Sequence, residues 1–233
     1  MMTRWRCGGS IGQTAGVTMN EWLENWDRRA GEWVAARCFS IDELQRWARR
    51  RVPRAMYDYM EGAADAEVTL ARNRSSFDRY QLVPRFLRDV GDVDTTTTVL
   101  GRETALPLMF SPTGGARLFH YLGERATAPA AAESGLVYTL STAGTTGIEE
   151  VARLGSGRKW FQVYVFRDRS LVSEFIELCR GAGYEAMVLT VDLPVAGNRH
   201  RDARNGMQVP PRFTARTFLD FALHPTWALT HLA

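Results

Sequence analysis

Residues 159–192 read KWFQVYVFRDRSLVSEFIELCRGAGYEAMVLTVD. Two apolar runs, KWFQVYV (159–165) and AMVLTVD (186–192), flank SLVSEFIELCR (170–180), a helix signal closed by Gly181 and Gly183. A run that is apolar on both faces reads as a strand buried on both sides. Such strands alternating with helices make a parallel sheet. The alternation extends toward the N-terminus through LVYTLST (136–142) and ALPLMFS (105–111). The class is therefore α/β, either an open doubly wound sheet or a barrel, and periodicity does not choose between them.

The polar residues help to choose. Each run ends in hydrogen-bonding or small residues: SPTGG (111–115), STAGTTG (141–147), Gln162 with Tyr164, and Thr190 with Asp192. Both architectures place their chemistry at the carboxyl ends of strands. No run is followed by G-x-G-x-x-G, and no G-x-x-x-x-G-K-[ST] occurs, which favours the barrel. After the fourth run, LTVDLPVAGNRHRD (189–202) turns at Pro194 and Gly197 and brings Arg199, His200 and Arg201 to a strand mouth.

Upstream, Ser40-Ile41-Asp42-Glu43 has the form of a capping box. Pro53 reads as the start of a second helix, RAMYDYMEGAADAEVTLARNRSSF (54–77). Pro129 inside LGERATAPAAAESG (122–135) predicts a kink or a later helix start, because an interior proline removes a hydrogen bond. Residues 1–18 show no period, and 20–37 form a weak helix signal carrying Trp22, Trp26 and Trp33. Residues 1–38 are thus expected to be an extension, disordered or loosely helical, and 39–233 a single domain.

At 233 residues and 45% hydrophobic the chain is long enough for a large core. The net charge of +3 suits an anionic ligand but falls short of a nucleic-acid signature. Of the 29 basic residues all but Lys159 are arginine. Cys7, Cys38 and Cys179 are too scattered for a disulfide framework or a zinc site, which gives the cytoplasm as the expected compartment and no metal. No run of about 18 apolar residues is present.

In order, YDYMEGAADAEVTLARNRSSFDR, LPLMFSPTGG, TLSTAGTTGIEEVA, KWFQVYVFRDR and LTVDLPVAGNRHRDARNGM resemble the motifs of FMN-dependent 2-hydroxy acid dehydrogenases and oxidases. VDLPVAGNRHRDARNGM and HPTWAL are most similar to the L-lactate dehydrogenase branch. The resemblance implies a (β/α)8 TIM barrel with FMN at its carboxyl-end mouth. It implies that Pro112, Thr113 and Gly114 pass along the flavin, and that Ser141, Gln162 and Thr190 hydrogen-bond the ring's polar edge. Tyr59 and Tyr164 match substrate tyrosines, and Arg199 the arginine that grips the substrate carboxylate with paired donors. Taken singly, Ser141 and Thr190 read as ordinary strand-end hydroxyls; the ordered set reverses that. His200 and Arg201 read as solvated neighbours of Arg199, and Asp192 as the residue that holds the turn. Small Gly114, Gly115 and Ala143 imply a roomy substrate pocket.

The family's later half carries the catalytic histidine, a flavin lysine, a second substrate arginine and the phosphate loops, and none of these motifs occurs here. Lys159, at a strand start, does not replace the lysine. The expectation is about the first four β/α units behind an N-terminal helical segment, contributing no catalytic residue of its own. Three readings follow: the N-terminal part of an FMN enzyme acting on a lactate-like acid; an inactive fragment or split-gene half needing a C-terminal partner chain or a homo-oligomer; or a membrane-surface protein. The last rests on FTARTFLDFALHPTWALTHLA (213–233), whose Phe213, Phe218, Phe221, Trp227 and Leu232 suit peripheral contact with the inner face of a membrane.

Overall fold

The computed structural model describes residues 28–193, 195–207 and 211–232. Trp22, Trp26, Cys7 and Pro194 lie outside them, while Cys38 and Cys179 are free thiols. Residues 28–35 are helical (α1). Helix α2 (Ile41–Arg51) opens as its sequence dictates, with the Ser40 hydroxyl accepting the Glu43 amide at 3.3 Å. The Glu43 carboxylate accepts from the Phe39 amide at 2.6 Å, so the box closes one residue earlier than the motif implies.

The single helix expected over 54–77 is two helices, α3 (Arg54–Glu61) and α4 (Val68–Ser75). Gly62 is extended, and Asp65 and Glu67 both adopt left-handed backbone, with φ of 51° and 58°. A β-carbon on Gly62 would stand 2.6 Å from the Asp58 carbonyl and 3.2 Å from the Arg201 side chain. The break lets the Asp65 amide donate to the Asn198 carbonyl at 2.9 Å. A long-range contact thus overrides local helix propensity.

A short antiparallel hairpin follows, β1 (Thr97–Val99) and β2 (Arg102–Thr104). Then comes a parallel sheet of β3 (Met109–Phe110), β4 (Val137–Ser141), β5 (Lys159–Val163) and β6 (Ala186–Leu189), in sequence order. The run at 105–111 contributes only two strand residues. Helices α5 (Glu124–Glu133), α6 (Ile148–Arg153) and α7 (Arg169–Gly181) make the crossovers. Helix α5 starts two residues later than drawn from sequence and contains Pro129.

Tyr138, Leu140, Phe161 and Val163 pack with Ala128 and Ala131 of α5, Val151 of α6 and Cys179 of α7. All three crossover helices therefore cover one face. A doubly wound sheet covers both faces and reverses its strand order; here neither holds. The sheet is an unclosed arc of a β/α barrel. The opposite face alternates with the first and carries Thr139 and Trp160 in register, then Ser141 and Gln162.

The hairpin is fixed at the amino end of this arc. Arg158 donates to the carbonyls of Val99, Arg102 and Glu103 at 3.0–3.2 Å and pairs with Glu185 at 2.7 Å. A second apolar cluster joins Val52, Met56 and Tyr57 to Leu118, Phe119, Phe221 and Trp227. It ties α2 and α3 to the C-terminal helices α9 (Ala215–Leu223) and α10 (Pro225–Leu232). Between the fourth strand and these helices lies α8 (His200–Asn205).

Candidate functional site

Parallel pairing sets Ser141 beside Gln162, and Thr190, one residue past β6, comes within reach of the Gln162 side chain at the carboxyl end of the sheet. The Ser141 hydroxyl donates to Gln162 Oε1 at 3.0 Å, and Gln162 Nε2 donates to Thr190 Oγ1 at 2.6 Å. The Thr142 amide also donates to Gln162 Oε1, at 3.2 Å. Gln162 and Ser141 are buried. The row carries no charge. Its Ser141 proton is engaged, whereas the Thr190 hydroxyl proton and the second Gln162 N–H are still available to a ligand.

The loop after β3 lies against the loop after β4. Gly114 is needed there, since its β-carbon would stand 2.9 Å from that of Ala143. Gly115, at φ 67°, donates its amide to the Ala143 carbonyl at 2.9 Å. The small residues read as pocket walls are thus used up in packing two loops together. Pro112 and Thr113 are exposed, and the Thr113 and Gly114 amides donate to nothing among the described residues.

Sequence reasoning missed Glu124, which is fully buried and anchors this loop pair. Its carboxylate accepts from the Thr145 amide at 2.8 Å and from the Thr145 and Thr146 hydroxyls at 2.6 and 2.8 Å. Thr145 Oγ1 accepts in turn from the Arg117 amide at 3.2 Å. Burial pushes the Glu124 carboxyl up, but the bonds from Thr145 and Thr146 more than reverse this and hold it below the usual carboxylate range. A glutamate opening a helix after Gly123, with Thr145-Thr146 in the next loop, was the available signal.

Tyr59 and Arg199 are brought together from α3 and the start of α8. The Arg199 guanidinium lies 5.1 Å from the Tyr59 ring centre, and its Nη2 donates to the Tyr59 carbonyl. Its Nε stands 2.6 Å from Asp202 Oδ2. Asp202 is buried, which raises its carboxyl above the ordinary value, while Arg199 acts in the opposite sense. The remaining N–H groups of Arg199 stay open to a ligand. Tyr164, just beyond β5, is exposed, and its side chain makes no hydrogen bond or ring contact with this pair among the described residues.

Two neighbours differ from expectation. Arg201 is not a solvated bystander: it pairs with Glu67 and faces Asp58 at 3.7 Å. Asp192 is exposed and makes no hydrogen bond among the described residues. The turn before Arg199 is held by Asn198, whose side-chain amide donates to Asp65 at 3.1 Å. His200 is exposed beside Asn198, and His224 and His231 each face backbone carbonyls at 2.7 Å or less. Lys159 is buried at the opposite end of β5, donating to the carbonyls of Gly155 and Gly157.

No cluster of metal-ligating side chains occurs among the described residues. The mouth does suit a flat, uncharged, hydrogen-bonding ring system. Side-chain donors stand in a line on the sheet, and unspent backbone amides stand on the adjoining loop. FMN's isoalloxazine edge is such a group, and the residues present fit it.

The chain is 47% identical over 189 residues to a putative L-lactate dehydrogenase of Mycobacterium tuberculosis (strain ATCC 25618 / H37Rv), covering 81% of this chain and 46% of that protein. It is 40% identical over 179 residues to the glycolate oxidase of Spinacia oleracea, covering 77% and 48%. Among solved structures it superposes on a monotopic membrane protein, (S)-mandelate dehydrogenase, with a TM-score of 0.79 at 34% identity, covering 84% and 52%. The chain thus spans about half the length of the relatives it matches. With a family profile described as FMN-dependent dehydrogenase matching residues 48–233, this chain belongs to the FMN-dependent dehydrogenase family.

Proposed function

We propose that the protein carrying this chain oxidises an L-2-hydroxy acid of the lactate class to the 2-oxo acid with FMN. The observation that carries this reading is the uncharged row Ser141–Gln162–Thr190 at the sheet mouth. FMN, when bound, supplies the acceptor for the two electrons. Thr190, Gln162 and the amides of Thr113 and Gly114 hydrogen-bond the polar edge of the ring, with Pro112 passing beside it. Arg199 fixes the substrate carboxylate, and the Tyr59 and Tyr164 hydroxyls orient the acid. The proton acceptor and the grip on the FMN phosphate come from outside these 233 residues, so the chain by itself is inactive.

Lactate is preferred over glycolate or mandelate because of the likeness to the putative L-lactate dehydrogenase. A partner carrying further strands, or a second copy, is favoured by the exposed Leu108 and Met109 at one sheet edge and Leu189 and Val191 at the other. Exposed Phe218, Leu219 and Leu223 on α9 favour contact with the cytoplasmic face of a membrane. The test is anaerobic bleaching of FMN by L-lactate, glycolate and (S)-mandelate, with the chain alone and with a polypeptide supplying the later half of a relative. Bleaching fastest with L-lactate, and only in the combined sample, is the expected result. Bleaching by the chain alone, or by none of the acids in a folded complex, refutes the reading.

A further inference from the structure

On the flank formed by α2, α3 and α8 lies a polar cleft of about 400 Å³ that the flavin reading leaves unused. Four arginines line it, Arg49, Arg54, Arg201 and Arg204, against two carboxylates, Asp58 and Glu61. Arg201 is taken by Glu67. Asp58 Oδ2 accepts from Arg54 Nε at 3.3 Å and from the Asn205 amide at 2.7 Å, while its Oδ1 faces Arg201 at 3.7 Å. That leaves Arg49 and Arg204 with only Glu61 to oppose them, and neither side chain makes a hydrogen bond or ion pair among the described residues.

A second observation points the same way. Tyr57 also lines the cleft and is only 5% exposed, yet its hydroxyl has no hydrogen-bond partner among the described residues. Its hydroxyl is not sealed inside the protein, so it is free to donate to an occupant of the cleft. A second cleft shares Arg54, Arg204 and Asn205 and adds Arg216 against Asp220, so arginine side chains continue to the edge of α9 beside one carboxylate.

We propose that this cleft is a binding site for a phosphate group, gripped by the guanidinium forks of Arg49 and Arg204 with Tyr57 as a neutral donor. Guanidinium forks match the tetrahedral oxygens of phosphate in pairs, and an adjacent hydroxyl completes the set. The group belongs either to a small phosphorylated solute or to a phospholipid headgroup; the chemistry recognised is the same. The site needs neither FMN nor a hydroxy acid, so it stands or falls apart from the flavin reading.

The test titrates inorganic phosphate into the full chain by calorimetry, against chloride at matched ionic strength. Wild type is expected to bind saturably, Arg49→Gln/Arg204→Gln at least tenfold more weakly, and Tyr57→Phe a few-fold more weakly, all with unchanged circular dichroism. A second arm floats the chain with vesicles of phosphatidylglycerol in phosphatidylcholine, and of phosphatidylcholine alone. Flotation with the anionic vesicles that phosphate and the double variant both abolish assigns the group to a headgroup. Phosphate binding without flotation assigns it to a solute. No saturable binding beyond the chloride control, or equal binding by the double variant, overturns the proposal.

Discussion

At Arg199 two demands meet. The side chain faces buried Asp202 with its Nε and donates Nη2 to the Tyr59 carbonyl, and in the proposed reading its other N–H groups serve the substrate carboxylate. Removing it strands a buried carboxylate, so Arg199→Ala is expected to cost about 1–3 kcal/mol in denaturant unfolding. The lower half of that range is favoured because the arginine is a third open to water, which screens the pair. Asp202→Asn in the same chain recovers most of the loss; a double variant as unstable as the single one contradicts the pairing. Glu124 gives a pH signature. Its carboxyl is held below the ordinary value of 4.5, so it adds stability above that pH which is lost as pH falls through the lowered value. Glu124→Gln gives up charge-assisted bonds and is expected to be less stable by about 2 kcal/mol at pH 7. The gap to wild type should narrow in unfolding curves taken below pH 4.5. A gap independent of pH means that Glu124 is not ionised where it sits.

Among the elements, the hairpin is the one that sequence concealed. Its two-residue turn is Leu100-Gly101, both at positive φ, 51° and 75°. Such turns favour Asn-Gly, and a leucine there carries no turn signal. Leu100 is exposed, so Leu100→Asn relieves left-handed strain without disturbing packing. A stabilisation of about 1 kcal/mol is expected in thermal unfolding, and a loss contradicts the turn geometry. The βαβ units were legible because continuous apolar strands and a glycine-closed helix are local signals. The break in 54–77 was not, since it depends on Asn198, over a hundred residues away. Ser141, Gln162 and Thr190 were legible as site candidates only as an ordered set; that Gln162 links the other two requires the fold. Glu124 and Asp202 escaped notice because burial decides their roles, and burial is a property of the fold.

For the whole molecule, one face of a four-stranded arc carries three helices and the other carries the polar row, which points toward the axis of a barrel that these strands leave open. The hairpin plugs the amino end through Arg158, so the carboxyl end is the accessible mouth. The central claim is that Gln162 and Thr190, with Ser141 bracing Gln162, address a flavin ring there while the phosphate is gripped from outside these residues. Titrating the chain with FMN and following the visible absorption of the flavin tests this most directly, with Gln162→Ala as the comparison. The account predicts a saturable spectral shift for wild type that dialysis reverses and that Gln162→Ala weakens at least tenfold. No shift, a shift indifferent to Gln162, or FMN held through dialysis would contradict it.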